Sequence, residues 1–422
     1  MFKKANAIIL TLVVSVFVAC FVFSGSAYAA NGTRELGFSS RDSAMAGATT
    51  ASPYDTSCLV KNPAELIWIG NRVDGMYQNI ITHGVSMDTE GPFGPFGLSA
   101  VGRKQDSTVT YLPGADVGVS YRIPGMDKHP VSVGLGIFTM AGLAADFPSS
   151  RINSLAIANG VYDKMVDLRS MRIAPGLAVG ITDKLSFGGT ANIGIQGLKT
   201  DMATVNPTAG FPETAGSGKW DFVPGGGFTL GLFYKFSEML GLGACYESHQ
   251  WMGYHYKYKD IPLHYLDEPP VISAGLSFKP IKDFEFTFDT RYINWTNVKT
   301  AALGPQEGGF GWRDQWVFAA GGEYTFKDML KLRFGYNYGK SPIQPHVVFA
   351  NALFSGPTIE QHLTTGFSYL VTKRFSVDFT WEHHFRSVKV DNGAGDLFSI
   401  NGAGTKITAA ADILSIGLGY KY

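Results

Sequence analysis

Beyond residue 70 the chain alternates apolar and polar side chains with a period of two. In residues 331–338, for example, Leu332, Phe334 and Tyr336 alternate with charged or small residues. The same pattern recurs in 185–196, 284–292, 375–382 and 414–422. Because a β-strand turns successive side chains to opposite faces, each of these segments has one apolar and one polar face. The chain is therefore predicted to be all-β after its N-terminal part.

The alternation and its interruptions predict fourteen strands, with the least regular pattern in the first. They span 72–84, 112–123, 131–145, 167–181, 184–198, 220–235, 239–249, 268–278, 282–296, 312–326, 330–340, 358–371, 373–387 and 408–422. The odd-numbered gaps, such as 85–111 and 250–267, are long, whereas the even-numbered gaps are short turns. Outer-membrane barrels combine short periplasmic turns with long external loops in this alternation. A soluble sandwich has no reason to keep it through the whole chain.

Strand length and aromatic placement also favour a membrane barrel over a sandwich. The predicted strands are 11 to 16 residues long, enough for a tilted membrane strand of roughly ten residues. Interfacial girdles of membrane barrels are aromatic, and aromatic residues gather here near strand ends, at Tyr234, Tyr246, Trp295, Trp316 and Tyr324. Closure of the sheet leaves no unpaired edge in lipid. We therefore predict an all-β fold, a fourteen-stranded antiparallel transmembrane β-barrel over residues 71–422.

The N-terminus carries an export signal and then a segment that does not alternate. Residues 1–29 combine a lysine-bearing start, an apolar run and the small-x-small site Ala27-Tyr28-Ala29. This order predicts a signal peptide that is removed on export. Residues 30–70 are rich in Ala, Ser and Thr. Because a polar lumen needs filling, this segment is predicted to be an N-terminal hatch that plugs the barrel.

Charge, apolar runs and residue spacing argue against several classes of function. The chain has 422 residues, zero formal net charge and no basic run, which argues against nucleic-acid binding. Beyond the signal, no apolar run approaches the roughly 20 residues of a membrane helix. No Cys/His spacing indicates a metal or cofactor site, and no nucleophile spacing indicates an enzyme. We therefore expect no cofactor and no catalysis, and leave open whether Cys58 and Cys245 are paired.

The third predicted strand has the sharpest local irregularity. Its alternation turns Phe138 and Met140 toward an otherwise polar lumen and Thr139 and Ala141 toward lipid, just before Gly142. Apolar lumen positions beside a glycine fit a local bulge and an apolar patch. One interpretation is a substrate path, because apolar pockets bind apolar ligands. Packing against the hatch, or a frame error of one residue, stays open as the alternative.

Two predicted external loops are rich in apolar side chains. The loops 199–219 and 250–267 contain the candidate capture residues Phe211, Trp251, Met252, Tyr254 and Tyr256. Exposed apolar surface marks a binding site or a contact with lipid headgroups. Ligand capture and an upward continuation of the aromatic girdle are both compatible with this pattern.

The predicted lumen face carries charges of both signs. They are Arg122, Arg172, Glu247, Glu285, Asp289, Arg291, Glu323, Arg333, Asp378, Glu382 and His384. Such mixed ladders are expected to pair with one another and with the plug, because a buried charge is costly unless it is paired. Adjacent His383 and His384 point to opposite faces of a strand, so they cannot chelate one metal ion together.

Several short motifs, in their order, resemble a known family. Ser43–Ala48 and then Asn62–Leu66 resemble the small-residue segment and the Asn-Pro-Ala signature of the outer-membrane long-chain fatty acid transporter (FadL) family, which includes transporters of aromatic hydrocarbons. Gly142–Asp146 resembles the family's Gly-Leu motif, which ends the third strand. Tyr246-Glu247-Ser248 resembles its Tyr-Arg-Ser motif, with Glu247 in place of the usual Arg. The resemblance covers essentially the whole mature chain.

The resemblance implies passive uptake of hydrophobic molecules through a hatch-plugged barrel. Ligand captured at the external loops would move to the hatch and leave sideways into the membrane beside a kink in the third strand. The candidate ligand-binding residues are Leu36, Phe38, Phe138, Met140 and Leu143, and the hatch signature comprises Gly47, Asn62, Pro63 and Ala64. Expected partners are fatty acids, alkanes or aromatic hydrocarbons, together with outer-membrane lipid and lipopolysaccharide, and we expect a monomer in the bacterial outer membrane.

Two other function classes are compatible with the residues. One is an outer-membrane barrel enzyme that acts on lipids, and the other is a generic porin or adhesin. Side chains do not separate fatty acid from alkane or aromatic substrates, because a preference of one methylene is energetically small.

Overall fold

Fourteen long strands pair antiparallel into one closed ring, which confirms the predicted fold class. The computed structural model describes residues 31–88, 92–93, 98–99, 104–150, 162–205, 212–215, 218–259, 265–396, 399–400 and 402–422, so the predicted signal peptide lies outside the described residues. In chain order the wall strands are β1 Arg72–Thr82, β2 Tyr111–Arg122, β3 Val131–Ser150, β4 Tyr162–Gly180, β5 Leu185–Val205, β6 Asp221–Lys235, β7 Leu240–Glu247, β8 Val271–Ile281, β9 Phe284–Ile293, β10 Gln315–Phe326, β11 Leu330–Gly339, β12 Gln361–Leu370, β13 Phe375–Val390 and β14 Lys406–Lys421.

Short elements lie inside this wall and above it. The helices are α1 Ser40–Ala44, α2 Cys58–Lys61, α3 Leu66–Ile69 and α4 Lys299–Ala302. Turns of 3-10 helix occupy Pro63–Glu65, Tyr256–Tyr258, Trp295–Asn297, Pro305–Glu307 and Gly356–Thr358. Short strands occupy Ser86–Asp88, Pro92–Phe93, Leu98–Ser99, Gln105–Asp106, Pro212–Ala215 and Trp251–Met252. In the described part of the chain, no helix has the length and apolar character needed to cross a membrane.

The ring closes between the first and last wall strands. β1 pairs with β14 from Arg72↔Lys421 to Thr82↔Ala411, and its other edge pairs with β2. The first predicted strand therefore forms despite its irregular alternation, because partners on both edges satisfy its backbone.

The two faces of the wall follow the sequence alternation. Leu332 and Phe334 are 46% and 57% exposed on the outer face, whereas Arg333 and Asn337 are 3% and 0% exposed on the inner face. An outer belt of apolar side chains is what lipid tails require of a membrane barrel.

Three wall strands extend at least five residues further at their external ends than predicted. β3 runs to Ser150, β4 begins at Tyr162 and β5 runs to Val205, so parts of the predicted loops 146–166 and 199–219 are strand. The loop prediction was wrong there because these ends continue to pair with one another, β3 with β4 and β4 with β5.

One predicted girdle aromatic does not lie at the lipid surface. Trp316 and Tyr324 are 55% and 44% exposed, but Trp295 is only 3% exposed. The prediction for Trp295 was wrong because β9 ends at Ile293 and the chain turns inward. The indole packs edge-on against Trp312 under the external loops, with 4.8 Å between the ring centroids.

The described part of the predicted hatch, residues 31–70, fills the lumen. Helix α1 begins after Ser39, whose hydroxyl accepts a hydrogen bond of 3.1 Å from the backbone N–H of Asp42, as N-capping requires. The wall gives the hatch room through glycine. At Gly231 of β6, for instance, a Cβ atom would collide with Oδ1 of Asn62.

Candidate functional site

The β2–β3 seam of the wall stops half-way up. The two strands pair only from Arg122↔Ser132 to Val117↔Ile137, although β3 continues along β4 to Ser150. The pairing of β3 with β4 also shifts register at Met140, between Thr139 and Ala141. A bulge of this kind bends a strand away from its neighbour. The predicted bulge in the third strand is therefore present.

The start of the hatch takes the place that β2 leaves. Arg34 pairs with Ala141 in an antiparallel bridge. The Gly142 N–H donates to the Thr33 carbonyl at 3.1 Å, and the Glu35 N–H donates to the Met140 carbonyl at 3.4 Å. Above Ile137, the edge of β3 that faces β2 is thus hydrogen-bonded to the hatch rather than to the wall. The seam is therefore closed by a segment that is not part of the barrel.

The interrupted stretch has defined limits. At its lower end the Thr139 N–H donates to the Asp116 carboxylate at 2.7 Å. At its upper end the Thr108 N–H donates to the Asp146 carbonyl at 2.8 Å. Apolar side chains cluster at the lower margin: Ala115, Val117, Ile137, Met171 and Ile173. The result is an opening in the hydrogen-bonded wall with an apolar lower margin, covered from inside by the hatch.

Around the bulge, the predicted assignment of side chains to the lumen face or the lipid face is only partly correct. Phe138 and Met140 face inward as predicted, and they are 1% and 0% exposed. Thr139 and Ala141 were predicted to face lipid, but they are 2% and 3% exposed. That part of the prediction was wrong because the bulge interrupts the two-residue alternation and the hatch covers this edge.

An apolar cluster joins the hatch to β3. Phe38 and Phe138 approach edge to face, with 6.4 Å between their ring centroids. Met140 and the hatch residues Leu59 and Val60 belong to the same cluster. Phe138 therefore packs against the hatch, the alternative that the sequence left open, and it does so beside the wall opening.

Two other predicted ligand residues lie elsewhere. Leu36 is 2% exposed but belongs to none of the apolar clusters formed by the described residues. Leu143 packs in a separate cluster at the external end of the lumen. The structure thus brings Phe38, Phe138 and Met140 together and sets Leu36 and Leu143 apart.

A small cavity of about 30 Å³ lies between the hatch and β7 to β9. Its apolar lining includes Phe38, Val60 and Ile293, and its polar lining includes Arg291 and Asn31. Both side-chain polar atoms of Asn31 are buried without a hydrogen-bond partner in the described part of the chain. A cavity of this size holds about one water molecule. This cavity is therefore too small for a molecule the size of toluene or a fatty acid while the hatch is docked.

Ion pairs hold the hatch in the lower lumen. Arg41 lies 3.2 Å from Glu285 and 3.0 Å from Glu323, all three side chains being buried. The Arg41 guanidinium also stacks over the Tyr54 ring at 4.4 Å. Thr50 donates to Asp289 from both its N–H and its hydroxyl, at 3.0 and 2.6 Å.

The predicted pairing of lumen charges with the plug is therefore present. Arg122 is an exception, because it ends β2 at the periplasmic rim and is exposed. Inside the hatch, Lys61 lies 3.5 Å from Asp42. Burial first, and the nearby Arg291 charge second, lower the pKa of the Lys61 ammonium to about 8.

The Asn-Pro-Ala signature forms the joint between the hatch and β6. Asn62 is fully buried, and its amide donates to the Thr50 carbonyl at 2.8 Å and to the Leu232 carbonyl at 3.0 Å. Its Oδ1 accepts from the Ala64 N–H, which caps the 3-10 turn that begins at Pro63.

Gly47 forms a second hatch joint. It adopts a φ of +78°, a conformation that glycine tolerates, and its carbonyl accepts from Lys61 at 2.8 Å and from Arg291. The hatch signature thus has a structural role in docking the hatch.

The predicted capture loop 250–267 is partly exposed. Trp251 and Tyr256 are 59% and 76% exposed, and Tyr254 contacts Tyr256 with 4.7 Å between ring centroids. Met252 is only 7% exposed, so the prediction that it is an exposed residue was wrong: Trp251–Met252 pairs with β6, which turns Met252 inward. Phe211 lies outside the described residues.

Sequence reasoning missed an apolar cap above the lumen. Residues of the external loops pack there with inward-facing residues of the upper wall, among them Trp295, Phe310, Trp312, Val348 and Phe354. Asn351 ties the cap together by accepting from the Trp312 indole at 2.8 Å and donating to the Phe310 carbonyl at 2.8 Å. The available signal was Trp295 and Trp312 at the ends of predicted strands, and we assigned Trp295 to the lipid girdle.

Neither metal chemistry nor a disulfide is indicated in the described residues. His384 is buried in the lumen while His383 is part-exposed on the other face. Within the described ranges, no group of three or more His, Cys, Asp or Glu is placed to hold a metal ion. Cys58 and Cys245 are both buried and free.

Several solved structures share the fold of this chain over most of its length. The toluene transporter TodX of P. putida matches with a TM-score of 0.66 at 17% identity, over 92% of this chain and 99% of that chain. A Pseudomonas aeruginosa FadL homologue gives 0.67 at 15% identity over 92% and 99%, and the Ralstonia pickettii toluene transporter TbuX gives 0.64 at 17% over 92% and 99%. These likenesses show a shared fold. No curated protein matches the chain.

A sequence model of one family matches almost the whole chain. The model is described as "Outer membrane protein transport protein (OMPP1/FadL/TodX)", and it matches residues 16–422. The interrupted β2–β3 seam, the plugged lumen and this match agree, and the protein therefore belongs to the OMPP1/FadL/TodX family of outer-membrane transport proteins.

Proposed function

We propose that the protein is a passive channel that takes up hydrophobic molecules, namely long-chain fatty acids or hydrocarbons, and releases them sideways into the outer membrane beside β3. The observation that carries this proposal is the interruption of β2–β3 pairing above Ile137, next to the apolar contact of Phe38 with Phe138. The route leads from the hatch into lipid and not into the periplasm.

Solvation supports the lateral route. An apolar solute gains free energy when it stays out of water. The lower lumen is filled by hatch residues and buried ion pairs, such as those of Arg41 with Glu285 and Glu323. Passing through it would separate buried charges, which is costly. The seam beside β3 has an apolar lower margin and leads directly to lipid tails.

Ligand entry is proposed to begin at the external loop 250–267. The exposed rings of Trp251 and Tyr256 offer an apolar surface to a solute above the lipopolysaccharide. The ligand would then pass the apolar cap and reach the cluster of Phe38, Phe138 and Met140. Binding there must favour a displaced hatch over the docked one, because the present cavity is too small for such a ligand.

The ligand class rests on the apolar character of this route and on the relatives. Among the similar structures are two toluene transporters, a FadL homologue and a monoaromatic hydrocarbon channel, CymD. We further propose that residues 1–29 are removed on export, that residues 30–70 act as the hatch, and that the mature protein works as a monomer surrounded by outer-membrane lipid and lipopolysaccharide.

Uptake by intact cells tests the proposal. The cells lack their own transporter for hydrophobic compounds and keep intact lipopolysaccharide, which slows spontaneous entry. Expression of the protein should increase uptake of labelled oleic acid or toluene, and Phe138→Asp should remove the increase while Phe138→Leu retains it. Equal uptake with and without the protein, or an increase confined to small hydrophilic solutes, would contradict the proposal. The second result would favour a generic porin.

A test for turnover separates a transporter from an enzyme. Purified protein incubated with phospholipid or lipopolysaccharide should release no hydrolysis product. Product whose formation is lost after one change of a lumen serine or histidine would favour a lipid-acting enzyme.

A further inference from the structure

Two buried arginines and two buried glutamates form a continuous ion-pair chain across the lumen. Arg34 donates to both oxygens of Glu247, at 3.0 and 2.7 Å. Arg172 of β4 donates from Nη2 to Glu247 at 2.8 Å and to Glu268 at 3.0 Å. All four residues are at most 8% exposed. The chain links the hatch residue at the wall opening to the base of the external loop 250–267.

We infer that Arg34 and Glu247 form a latch that holds the start of the hatch over the wall opening, and that Arg172 and Glu268 couple this latch to the external loop. The inference rests on the proposed function. In this arrangement Arg34 and Arg172 are positioning residues: they set where the hatch sits and need not touch the ligand.

The contacts of the hatch start identify Arg34 as its main anchor. Around the opening, the backbone contributes two bonds to β3, of 3.1 and 3.4 Å, the second near the limit for an N–H···O bond. Arg34 instead makes a bidentate, charge-assisted contact with Glu247, the stronger kind of hydrogen bond. Loss of that contact leaves the two backbone bonds to β3 and one neutral-donor bond, from the Gln78 amide to the Glu35 carboxylate at 2.6 Å, to keep the hatch start in place.

Arg172 gives the latch a second state. Its Nη2 serves two carboxylates, whereas its Nη1 is buried without a hydrogen-bond partner in the described residues. Glu268 is held to the external loop because Gln250 and Glu268 exchange backbone hydrogen bonds of 3.0 and 3.1 Å. If Gln250 shifts and withdraws Glu268 from Arg172 and from the Ser170 hydroxyl, Arg172 can turn both its nitrogens to Glu247. It then competes with Arg34 for the same carboxylate, and the hatch start is released.

A native thiol reports on the latch. Cys245 is 8% exposed and lines the same small cavity as Arg34 and Glu247. Displacement of the hatch start uncovers it. In the mature chain carrying Cys58→Ala, the rate of alkylation of Cys245 by N-ethylmaleimide therefore measures opening of the hatch in purified, micelle-bound protein, with no ligand needed.

The experiment compares Arg34→Met with a matched control, Arg41→Met. Arg41 is another buried hatch arginine paired with wall glutamates, but those glutamates lie on β9 and β10 and it makes no ion pair with Glu247. Arg34→Met should raise the alkylation rate of Cys245 about tenfold or more, because a buried thiol reacts only through local opening. Arg41→Met should raise it much less, and Arg34→Lys should restore most of the protection. Heat-modifiable migration on gels confirms that each barrel is folded.

A separate variant tests the coupling of the latch to the external loop. Glu268→Gln should raise the alkylation rate of Cys245, and its effect should be smaller in the presence of Arg34→Met than alone, since the two changes act on one pathway. An unchanged rate in Glu268→Gln would overturn the coupling. A rate in Arg34→Met no higher than in Arg41→Met would overturn the latch. The alkylation rates do not depend on uptake. If the wild type imports ligand but the alkylation rates differ from those expected, only the latch is contradicted. If the alkylation rates are as expected but no ligand is imported, only the proposed function is contradicted.

Discussion

Two seams of the same barrel show how its wall can be opened. Strands β13 and β14 pair from Phe375↔Tyr420 to Val390↔Lys406, and a register shift after His384 does not end their pairing. Strands β2 and β3 stop pairing at Val117↔Ile137. Both seams border a bulged strand, so a bulge alone does not open a wall. The difference is that hatch residues Thr33 to Glu35 provide backbone partners at the second seam.

The hatch contacts the two seams in different ways. Beside β13 it makes side-chain contacts, as when the Thr380 hydroxyl donates to the Ser40 carbonyl at 2.6 Å. Beside β3 it forms an antiparallel bridge through Arg34 and Ala141. A filled lumen needs only the first kind of contact. The second makes the continuity of the wall depend on where the hatch sits, which is what a gate in the wall requires.

The largest expected effect comes from fixing the hatch to β3. Arg34 and Ala141 face each other in a non-hydrogen-bonded antiparallel pair, whose Cα atoms are typically about 4.5 Å apart. In a background without Cys58 and Cys245, the double change Arg34→Cys and Ala141→Cys should form a disulfide on oxidation. Uptake of hydrophobic solute should then fall to the level of cells without the protein, and a reductant should restore it. Unchanged uptake in the oxidised protein would contradict the gate.

A large effect is also expected from charge in the contact between the hatch and β3. Changing Leu36 and Phe38 together to Asp should lower uptake by about tenfold or more while the barrel stays folded, because two carboxylates on this part of the hatch would make binding of an apolar ligand there unfavourable. Since Phe38, unlike Leu36, packs in the apolar cluster of Phe138, Phe38→Asp should account for most of the loss. Phe38→Leu is the matched control. Equal loss from Leu36→Asp alone would show that the aromatic contact is not the sensitive point.

Hatch docking is expected to respond moderately to Asn62→Ala. The change removes two amide hydrogen bonds and leaves the buried carbonyls of Thr50 and Leu232 unsatisfied, a cost of about 2–4 kcal/mol. Alkylation of Cys58 in a Cys245→Ala background measures hatch undocking. Asn337→Ala, which removes one bond of 3.2 Å to the Ala46 carbonyl, should have a smaller effect. Similar alkylation rates of Cys58 in the two variants would show that Asn62 has no special role in docking the hatch.

The smallest expected effect is a pH dependence of hatch stability. The pKa of Lys61 in the folded protein is about 8, below its ordinary value of 10.5. The unfolded chain therefore binds more protons than the folded protein between these values, and stability rises with pH through that window. Comparing melting temperatures at pH 7 and pH 10, the wild type should gain about 1–4 °C relative to Lys61→Met. Identical pH responses in the two proteins would contradict the assignment.

The fold was predictable because lipid imposes a strict rule on every strand. Each wall segment must turn one apolar face to lipid. The alternation in stretches such as 331–338 therefore predicts both that the segment is a strand and which of its side chains face lipid. The external ends of β3 to β5 were missed because above the membrane that rule no longer applies. Trp295 was misplaced for a related reason: tryptophan suits both a lipid interface and a buried loop core, and only the end of β9 at Ile293 separates them.

The candidate site was predictable only around the bulge. Apolar residues at inward positions beside Gly142 indicated Phe138 and Met140, and both lie against the hatch. Neither the bridge of Arg34 to Ala141 nor the ion pair of Arg34 with Glu247 has a local signature, because each joins residues more than 100 positions apart. The charge of Glu247 was visible as a departure from the family motif. Its partner was not, since pairing is set by the closed barrel.

The proposed lateral route is tested most directly by mapping where a ligand touches the wall on its way out. A palmitic acid analogue bearing a diazirine is taken up by cells expressing the protein and photoactivated, and its adducts are located by mass spectrometry. The lateral route predicts adducts on residues flanking the interrupted seam, such as Ala115 and Ile137, and none along β13–β14. Adducts concentrated instead on Tyr54 and Trp68 at the periplasmic mouth would show that ligand passes through the hatch, and would contradict release into the membrane.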